Sequence, residues 1–416
     1  IVKAVQEGRL DEAVLDEAVE RVLNVVFAGE EQHRPEDISD KETDHKKAAD
    51  IETECAVLLE NNGILPLNTD RKVAYIGEFA EKPRYQGGGS SHINPFRVVS
   101  ALDAAGEKGR SVTYAKGFSN ENDSMTEQEL EKALRTAAEA DVAVIFAGLP
   151  EIFESEGYDR TSMKLPQCQD RLIEEVLKVQ PNVVVVLHNG SPVELPWADK
   201  VSAILEMYLG GQGVGEACDW LLYGEANPSG RLAETFPYRL EDNPSYLHFP
   251  GNGKRVLYGE DIFVGYRYYD TKKVPVRYAF GHGLSYTEFA YEDLNLSSAQ
   301  MTDEDILTVS FKVKNTGKTE GKEVVQLYVA DLCGISERPV KELKGFAKVH
   351  LLPGEEKTVS MEISARDLSY YEERLGDWYA PSGTYRILIG HASDDIRLHA
   401  DIVFETQKEL PLRVDF

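Results

Sequence analysis

The pattern of apolar and polar positions divides the chain into a helical start, an alternating middle and a strand-rich end. Over residues 1–28 apolar positions recur at helical spacing, which predicts one or two helices with Asp11 as an N-cap. Residues 29–43 are polar and predict a linker, and a further helix is predicted over 44–61. Because the apolar stripe of the first helices needs a covering surface, we expect it to pack on a segment outside these residues.

Short apolar runs then alternate with helical patterns as far as residue 223. The predicted strands are Val73–Ile76, Val112–Tyr114, Val142–Ala147, Val183–Leu187 and Ile204–Tyr208, and the predicted helices cover 126–140, 167–179 and 214–223. Apolar runs without polar alternation suit strands that are covered on both faces. Their alternation with helices predicts a mostly parallel α/β sheet.

The pattern changes twice more along the chain. Residues 240–285 are rich in Tyr, Pro and Gly and predict loops. From about residue 290, short strands separated by turn residues predict a β-sandwich of immunoglobulin or fibronectin type. The strand candidates there are Ile306–Val313, Val324–Val329, His350–Leu352, Thr358–Ile363 and Tyr385–Ile389. The expected parts are therefore terminal helices with a linker over 1–43, an α/β domain over 44–240, a linker over 241–289 and a β-sandwich domain over 290–416.

Composition narrows the classes of partner. A formal net charge of -27 argues against nucleic acid or an anionic membrane as a partner. The four cysteines are widely spaced and form no Cys-x-x-Cys pair, so we expect neither a disulfide framework nor a zinc site. No segment has the apolar length of a membrane span, and no signal peptide is visible. The few cysteines favour a cytoplasmic protein, with secretion or a periplasmic location as the alternative.

The candidate chemistry is concentrated in the run Glu154–Arg160, which follows the third predicted strand through a short loop. Loops at the carboxyl ends of strands build sites, and carboxylates there exchange protons as glycosidic bond cleavage requires. In an extended segment Glu154 and Glu156 point the same way, so their proximity is expected to raise the pKa of one of them. Arg160 is expected to hold Asp159 ionised. The alternatives are a solvated loop closed by a salt bridge and a divalent cation site.

Two glycine-rich segments favour structure over cofactor binding. Residues 86–95 hold three glycines that allow close backbone approach or a tight turn, and no Gly-Lys-Ser/Thr follows as a phosphate loop requires. Gly210–Gly215 leaves a strand and opens a helix, but its spacing differs from that of a dinucleotide fingerprint. His188 and His92 lie near strand ends, without a nucleophile motif or a metal-spaced partner. We expect no cofactor and no metal.

Seven ordered segments then identify a resemblance. They are Ala18–Phe27, Ala56–Leu67, Gly87–Ser91, Glu154–Gln169, Tyr258–Tyr268, Phe280–Tyr286 and Arg338–Phe346. In this order the chain resembles the C-terminal half of a glycoside hydrolase family 3 enzyme. The resemblance implies the last helix of a (β/α)8 barrel, an α/β sandwich domain with a glycine-serine loop and an acid/base loop, a linker and a fibronectin type III-like domain.

The resemblance also implies an activity, that of a retaining, exo-acting β-glucosidase that removes terminal non-reducing β-D-glucosyl residues. In such enzymes an Asp of the barrel attacks the anomeric carbon, while a Glu of the α/β domain protonates the leaving oxygen and then activates water. Carried over, the acid/base is Glu156, with Glu154 as the runner-up. A β-xylosidase of the same family is an alternative.

Further site residues follow from the same resemblance. It implies that Asp159 and Arg160 support the acid/base loop. The residues expected to border the sugar or the aglycone are Arg84, Ser90, His92 and Phe153.

The largest departure from the family pattern is that these residues include no barrel and no nucleophile Asp. We therefore expect a partial enzyme that is inactive alone and associates with an N-terminal barrel domain or chain, on a β-glucoside or oligosaccharide substrate. The resemblance also allows a homodimer. The competing hypotheses are a carbohydrate-binding or interaction protein, and an autonomous glycosidase that uses only the carboxylates of this chain.

Overall fold

The computed structural model describes residues 1–34, 39–334 and 337–410. These residues form two compact units, Ile1–Asp44 and His45–Phe416.

The first unit is helical, as the spacing of its apolar residues predicts. It contains α1 (Val2–Gln6) and α2 (Glu12–Glu31). Asp11 caps α2, because its side chain accepts a hydrogen bond from the backbone N–H of Ala13 at 3.0 Å. No residue of α2 is buried, so its apolar residues remain exposed within this unit. Part of the expected linker, residues 35–38, lies outside the described residues.

An α/β domain opens the second unit and confirms the predicted fold class. Its helices are α3 (Lys41–Cys55), α4 (Ala101–Glu107), α5 (Glu127–Ala138), α6 (Gln167–Val176) and α7 (Val214–Leu222). Its strands are β1 (Val57–Asn61), β2 (Val73–Ile76), β3 (Val112–Ala115), β4 (Val142–Gly148), β5 (Val183–His188) and β6 (Ala203–Glu206).

These strands form one sheet in the order β1-β6-β5-β4-β2-β3. All neighbours are parallel except β1, which runs antiparallel to β6 at the edge. Every residue of β4 and β5 is buried, because helices cover both faces of the sheet. Since parallel strands end at the same edge, the loops after β4 and β5 meet there.

One predicted element was wrong. The helix expected over 44–61 ends at Cys55, and Val57–Asn61 forms the antiparallel edge strand instead. Leu58 fits a helical apolar stripe and a buried strand equally well, and the sheet decides between them, since Leu58 pairs with Leu205 of β6. Helix α4 was not predicted. Its capping box joins Ser100 and Asp103, but its turns are short and alanine-rich.

The linker contains more regular structure than the loops that its composition predicts. It holds helix α8 (Tyr266–Lys272) and β8 (Val276–Tyr278), and β8 pairs with β7 (Phe236–Pro237), which lies just before the linker. Gly265 precedes α8 with a φ of 53°, a left-handed conformation that favours glycine. Tyr269 and Tyr278 are buried within this connection, whereas Phe249 and Tyr258 are exposed.

The last part of the chain is the expected β-sandwich. Its strands are β9 (Phe289–Leu296), β10 (Gln300–Thr302), β11 (Leu307–Asn315), β12 (Gly321–Asp331), β13 (Glu342–Leu351), β14 (Glu356–Ile363), β15 (Tyr370–Glu372), β16 (Asp377–Tyr379), β17 (Gly383–Ala392) and β18 (Asp395–Glu405), with the short helix α9 (Ala365–Leu368) before β15. One sheet has the order β10-β18-β17-β12-β13 and the other β14-β11-β9. Strands β9 and β18 were missed because charged residues on their outer faces interrupt the apolar pattern.

Candidate active site

The candidate site lies beyond the carboxyl end of β4, where the chain crosses close to β5. A Cβ on Gly148 would lie 2.2 Å from the carbonyl oxygen of His188, and the φ of Gly148 is 150°. The buried side-chain amide of Gln169 bonds to both the N–H and the C=O of Gly148, at 2.9 Å each. The close contact between Gly148 and His188 sets the direction in which the chain leaves the sheet towards the Glu154–Arg160 loop.

Glu154 anchors this loop to the protein interior. Arg84 donates from Nη1 to Oε2 of Glu154 at 2.7 Å, and the backbone N–H of Gly190 donates to the same oxygen at 2.7 Å. The Ser191 hydroxyl donates to Oε1, and Nη1 of Arg160 lies 3.7 Å from that oxygen. The Glu154 side chain is only 15% exposed, so both its oxygens are occupied by groups of the protein.

Glu156, two residues later, lies in the opposite kind of environment. It is exposed, and its Oε2 accepts a hydrogen bond of 2.6 Å from the backbone N–H of Ser90. A Cβ on Gly89 would lie 2.7 Å from the Cβ of Glu156, and its φ is 73°, so only glycine suits this position. The loop of residues 87–91 thus lets the Glu156 side chain approach the backbone of Gly89 and Ser90 closely.

The expectation of a raised pKa is wrong for Glu156. Hydrogen bonds from the Ser90 side chain and the Ser90 backbone hold the pKa of Glu156 below its ordinary value, and burial opposes them only weakly. The two carboxyl groups also differ in their surroundings, since Glu154 turns inward while Glu156 is exposed. Of these two glutamates, Glu156 is therefore the accessible one.

Arg160 supports the loop through a different partner from the one expected. Besides its ion pair with Glu154, its Nη1 donates to the Ser191 hydroxyl and to the carbonyl of Pro192. Asp159 is exposed, and no bond joins it to Arg160 in the described part of the chain. The arginine thus ties the loop to the end of β5, and the predicted pairing of Arg160 with Asp159 is wrong.

The four residues expected to border the substrate fall into three environments. Arg84 is buried, and its donors go to Glu154 and to the carbonyl of Leu149. Phe153 is half-buried and packs against the core.

Ser90 and His92 are both exposed beside the loop, and Nε2 of His92 lies 3.3 Å from Oε1 of Glu151. Arg84 and His92 also line a cavity of about 510 Å³ next to Glu151. Substrate contact by these four residues stays a prediction.

Two acids near the loop were missed by the sequence analysis, of which Glu206 is buried and Glu234 is half-buried. Glu206 is completely buried and accepts hydrogen bonds of 2.9 Å from the backbone N–H of Tyr208 and from the Asn189 amide. Burial raises its pKa well above the ordinary value. Glu234 accepts a bond of 3.0 Å from the Tyr208 hydroxyl, and burial raises its pKa to about 7. Glu206 had a visible signal, an acid within an apolar strand candidate, whereas Glu234 had none.

The remaining candidate motifs have structural roles. His188 is buried beside Phe146 and Phe79, and burial lowers its pKa to about 4. A Cβ on Gly213 would lie 2.7 Å from that of Ala49, and one on Gly215 would lie 2.3 Å from the carbonyl oxygen of Ser100. The Gly210–Gly215 segment therefore allows close packing against α3 and the start of α4, as the structural alternative predicted.

Within residues 1–34, 39–334 and 337–410, no three His, Cys, Asp or Glu side chains are grouped as a metal site would require. The four cysteines are free. None of the helices there combines the length and the apolar character of a membrane span.

Two family models match this chain. One, described as the glycosyl hydrolase family 3 C-terminal domain, covers residues 56–286, which is more than half of the 416 residues. The other, a fibronectin type III-like domain, covers residues 323–393. Both fall where the α/β domain and the β-sandwich lie, while the limits given for the four parts stay predictions.

Curated relatives align with nearly the whole chain. Thermostable beta-glucosidase B from Acetivibrio thermocellus is 50% identical over 97% of this chain and 54% of its own length. An exo-alpha-(1->6)-L-arabinopyranosidase from Bifidobacterium breve is 39% identical over 97% of this chain and 55% of its own length. A crystal structure of a beta-glucosidase from Bifidobacterium adolescentis matches with a TM-score of 0.95 at 38% identity, over 99% of this chain and 61% of that one.

The chain spans about half the length of the curated relatives it matches. The two family models cover different parts of the chain, and the matched crystal structure covers 99% of it. The chain belongs to glycosyl hydrolase family 3, of which it carries the C-terminal α/β domain followed by a fibronectin type III-like domain.

Proposed function

We propose that this chain is the acid/base-bearing part of a retaining, exo-acting β-glucosidase and that Glu156 is the general acid/base. The observation that carries the proposal is the contrast within one loop. Both oxygens of Glu154 are occupied by protein groups, whereas Glu156 is exposed and held by a hydrogen bond to one oxygen. A proton-transferring carboxyl must reach the glycosidic oxygen, and of these two glutamates Glu156 is the one that is free to do so.

The residues of this chain perform two steps of the proposed reaction. In the first, Glu156 donates a proton to the leaving oxygen while an Asp of the barrel attacks the anomeric carbon. In the second, the Glu156 carboxylate removes a proton from the water that cleaves the glycosyl-enzyme intermediate. Ser90 orients the carboxyl in both steps through its backbone N–H, and Glu154 with Arg84 and Arg160 fixes the base of the loop.

The lowered pKa of Glu156 bears on these two steps differently. The ionised form that Ser90 favours is the one needed to activate water. The protonated form needed in the first step requires an environment that raises this pKa, which a nearby nucleophile carboxylate and a closed, poorly hydrated site supply. The proposal therefore includes a partner segment that carries the nucleophile and covers the loop.

The test is hydrolysis of p-nitrophenyl β-D-glucoside by this chain combined with a family 3 barrel that carries the nucleophile. We expect turnover only in the combined sample, and a loss of about 10²–10⁴-fold with Glu156→Ala. Because the azide anion can attack the glycosyl-enzyme intermediate in place of water without the help of a base, it should restore part of the lost activity and release a glycosyl azide. Glu131→Ala removes an exposed carboxylate from α5 and serves as the matched control.

Association of the two parts is measured in parallel by analytical ultracentrifugation. Turnover by the chain alone, or full activity of Glu156→Ala in a complex that has formed, would contradict the assignment. A complex that forms with both variants and hydrolyses nothing would support the non-catalytic carbohydrate-binding alternative.

The relatives support a second candidate substrate. Among the matches is an exo-alpha-(1->6)-L-arabinopyranosidase that is 39% identical over 97% of this chain. The same combined sample should therefore also be assayed with p-nitrophenyl α-L-arabinopyranoside and β-D-xyloside. A higher kcat/KM on either one than on the glucoside would replace β-glucosidase as the activity while leaving the role of Glu156 intact.

A further inference from the structure

A cavity of about 570 Å³, here called the linker cavity, lies behind the candidate active-site loop. Residues from four parts of the chain line it, namely Pro192 and residues within 160–163, 233–237 and 240–280. Its volume falls in the range of roughly 300–1,000 Å³ that is typical of small-molecule sites. Neither Glu156 nor Ser90 lines it, so it is separate from the proposed catalytic position.

Three residues that line the linker cavity each have a buried polar atom without a hydrogen-bond partner in the described part of the chain. These atoms are Nη2 of Arg160, Oγ1 of Thr235 and Oε2 of Glu260. Thr235 is only 7% exposed. Because buried polar groups are nearly always paired, three such atoms around one cavity indicate that a ligand with several hydrogen-bonding groups satisfies them.

The remaining wall is largely apolar and aromatic. Tyr266 and Tyr269 enter from α8, and Phe280 stacks on Tyr266 with ring centroids 4.6 Å apart. A surface of this kind packs well against the C–H faces of a ring that also carries hydroxyl groups. The cavity thus combines flat apolar area with a few polar atoms of fixed position.

We propose that the linker cavity binds a neutral polyol of monosaccharide size. Each hydroxyl group both donates and accepts a hydrogen bond, so one such ligand can satisfy the guanidinium donor, the carboxylate acceptor and the threonine hydroxyl together. The proposal goes beyond the proposed function and does not depend on the role of Glu156.

The charges around the cavity disfavour an anionic ligand. Arg160 is the cation that lines it, and this arginine is already paired with Glu154. Glu234 and Glu260 contribute two carboxyl groups, and no ion pair joins either of them to Arg160 in the described part of the chain. An anion would therefore meet more negative than positive charge, whereas a neutral polyol meets acceptors and donors without a charge penalty.

Arg160 connects the linker cavity to the active-site loop. Its Nη1 bonds to Ser191 and Pro192 and lies near Glu154, while its buried Nη2 has no hydrogen-bond partner among the residues that the structure describes. A ligand that accepts from Nη2 would therefore restrain the guanidinium that braces the loop.

The test is methyl NMR on the 416-residue chain labelled with ¹³C at its methionine methyl groups. Met163 lines the cavity, whereas Met301 lies in the β-sandwich, and the chain has five methionines in all. Titration with D-glucose, D-xylose and glycerol should shift the Met163 methyl saturably, with a Kd for a monosaccharide of about 1–10 mM, and leave Met301 unchanged. Met163→Leu assigns the signal.

Variants and a second ligand sharpen the outcome. Thr235→Val and Glu260→Gln should each weaken the titration by about 5–10-fold, and Glu156→Gln should leave it unchanged. An unshifted Met163 methyl at 100-fold molar excess of each polyol would overturn the proposal, as would a monosaccharide effect that Glu156→Gln abolishes. A stronger response of Met163 to inorganic phosphate than to D-glucose would show that the ligand class is wrong.

Discussion

The two ends of the loop that follows β4 differ sharply, although Glu154 and Glu156 are separated by a single residue. At the inner end, Glu154 lies between two arginines, a backbone N–H and a serine hydroxyl. At the outer end, Glu156 is exposed and held by Ser90 alone. A buried carboxylate requires partners for each oxygen, whereas a proton-transferring carboxylate has to keep one oxygen accessible.

This difference separates structural from chemical demands on the same residue type. Removal of the inner carboxylate leaves a buried and a half-buried arginine without a counter-charge, which costs folding free energy. Removal of the outer one leaves no buried group unpaired, so its cost should appear in catalysis. The predictions below test this separation, beginning with the largest effect.

Glu154→Ala should lower the free energy of unfolding by about 3–5 kcal/mol, because it leaves the buried Arg84 and the half-buried Arg160 without their carboxylate. Urea denaturation of the chain, followed by circular dichroism, measures the change. Glu156→Ala is the matched control and should keep the wild-type midpoint. Equal midpoints for both variants would remove the distinction between the two ends of the loop.

Glu234→Gln should alter the pH dependence of the free energy of unfolding. Glu234 interacts electrostatically with Glu154 at the inner end of the loop. The pKa of Glu234 rises from 4.5 to about 7 on folding, so the folded state binds more protons between these values and stability falls as pH rises. The charged and titratable groups that face Glu234 are Tyr208, Glu154, Arg160 and Glu206. Between pH 4.5 and 7 the free energy of unfolding should fall by roughly 1–3 kcal/mol less in the variant than in the wild type.

Unfolding free energies at half-unit pH steps measure this decline. Glu241→Gln, an exposed acid in the following segment, should keep the wild-type slope. Burial also raises the pKa of Glu52 to about 8 and that of Asp170 to about 6, so part of the decline should remain in every variant. An identical slope for Glu234→Gln and the wild type would contradict the prediction.

Gly89→Ala should destabilise the chain by about 1–2 kcal/mol, because an L-residue is strained at its φ of 73°. The added Cβ would also displace Glu156, which lies 2.7 Å away. Gly109→Ala has a similar φ of 65° and open space around it, so it should show the strain alone. Activity is then measured in the sample combined with the barrel and divided by the amount of folded protein. Of the two variants, Gly89→Ala should show a lower activity per folded molecule, whereas Gly109→Ala should not.

Ser90→Ala should have the smallest effect, confined to the outer end. It removes the side-chain hydrogen bond that most strongly lowers the pKa of Glu156, while the backbone N–H stays. The pKa of Glu156 should therefore rise towards its ordinary value without a change in the unfolding midpoint. Titration of the ¹³C carboxyl signal measures it, and an unchanged titration curve would show that the hydroxyl has no part in holding Glu156.

Much of the fold was predictable because its signals are local. Val183–Leu187 is a continuous apolar run and forms a fully buried parallel strand. Thr126 and Glu129 form the capping box that starts α5, within the predicted range. The turns of the β-sandwich likewise contain the glycine and proline residues that indicated them.

Other elements were not predictable from local pattern. Leu58 suits a helix or a strand, and its pairing with Leu205 decides the matter through residues that lie far along the chain. Helix α8 follows a glycine in an aromatic, proline-rich region and depends on packing such as that between Tyr266 and Phe280. In both cases the deciding contact is tertiary.

The order of amino acids was sufficient to locate the candidate site after β4, to indicate the α/β and β-sandwich parts and to identify the family. The family resemblance named Glu156 as the acid/base and Glu154 as the runner-up, but the order of residues did not show how the environments of these two glutamates differ. The buried environment of Glu154 depends on Arg84, 70 residues before it, and on Gly190, 36 residues after it. Burial and hydrogen bonding depend on such distant partners, and only the folded chain brings them together.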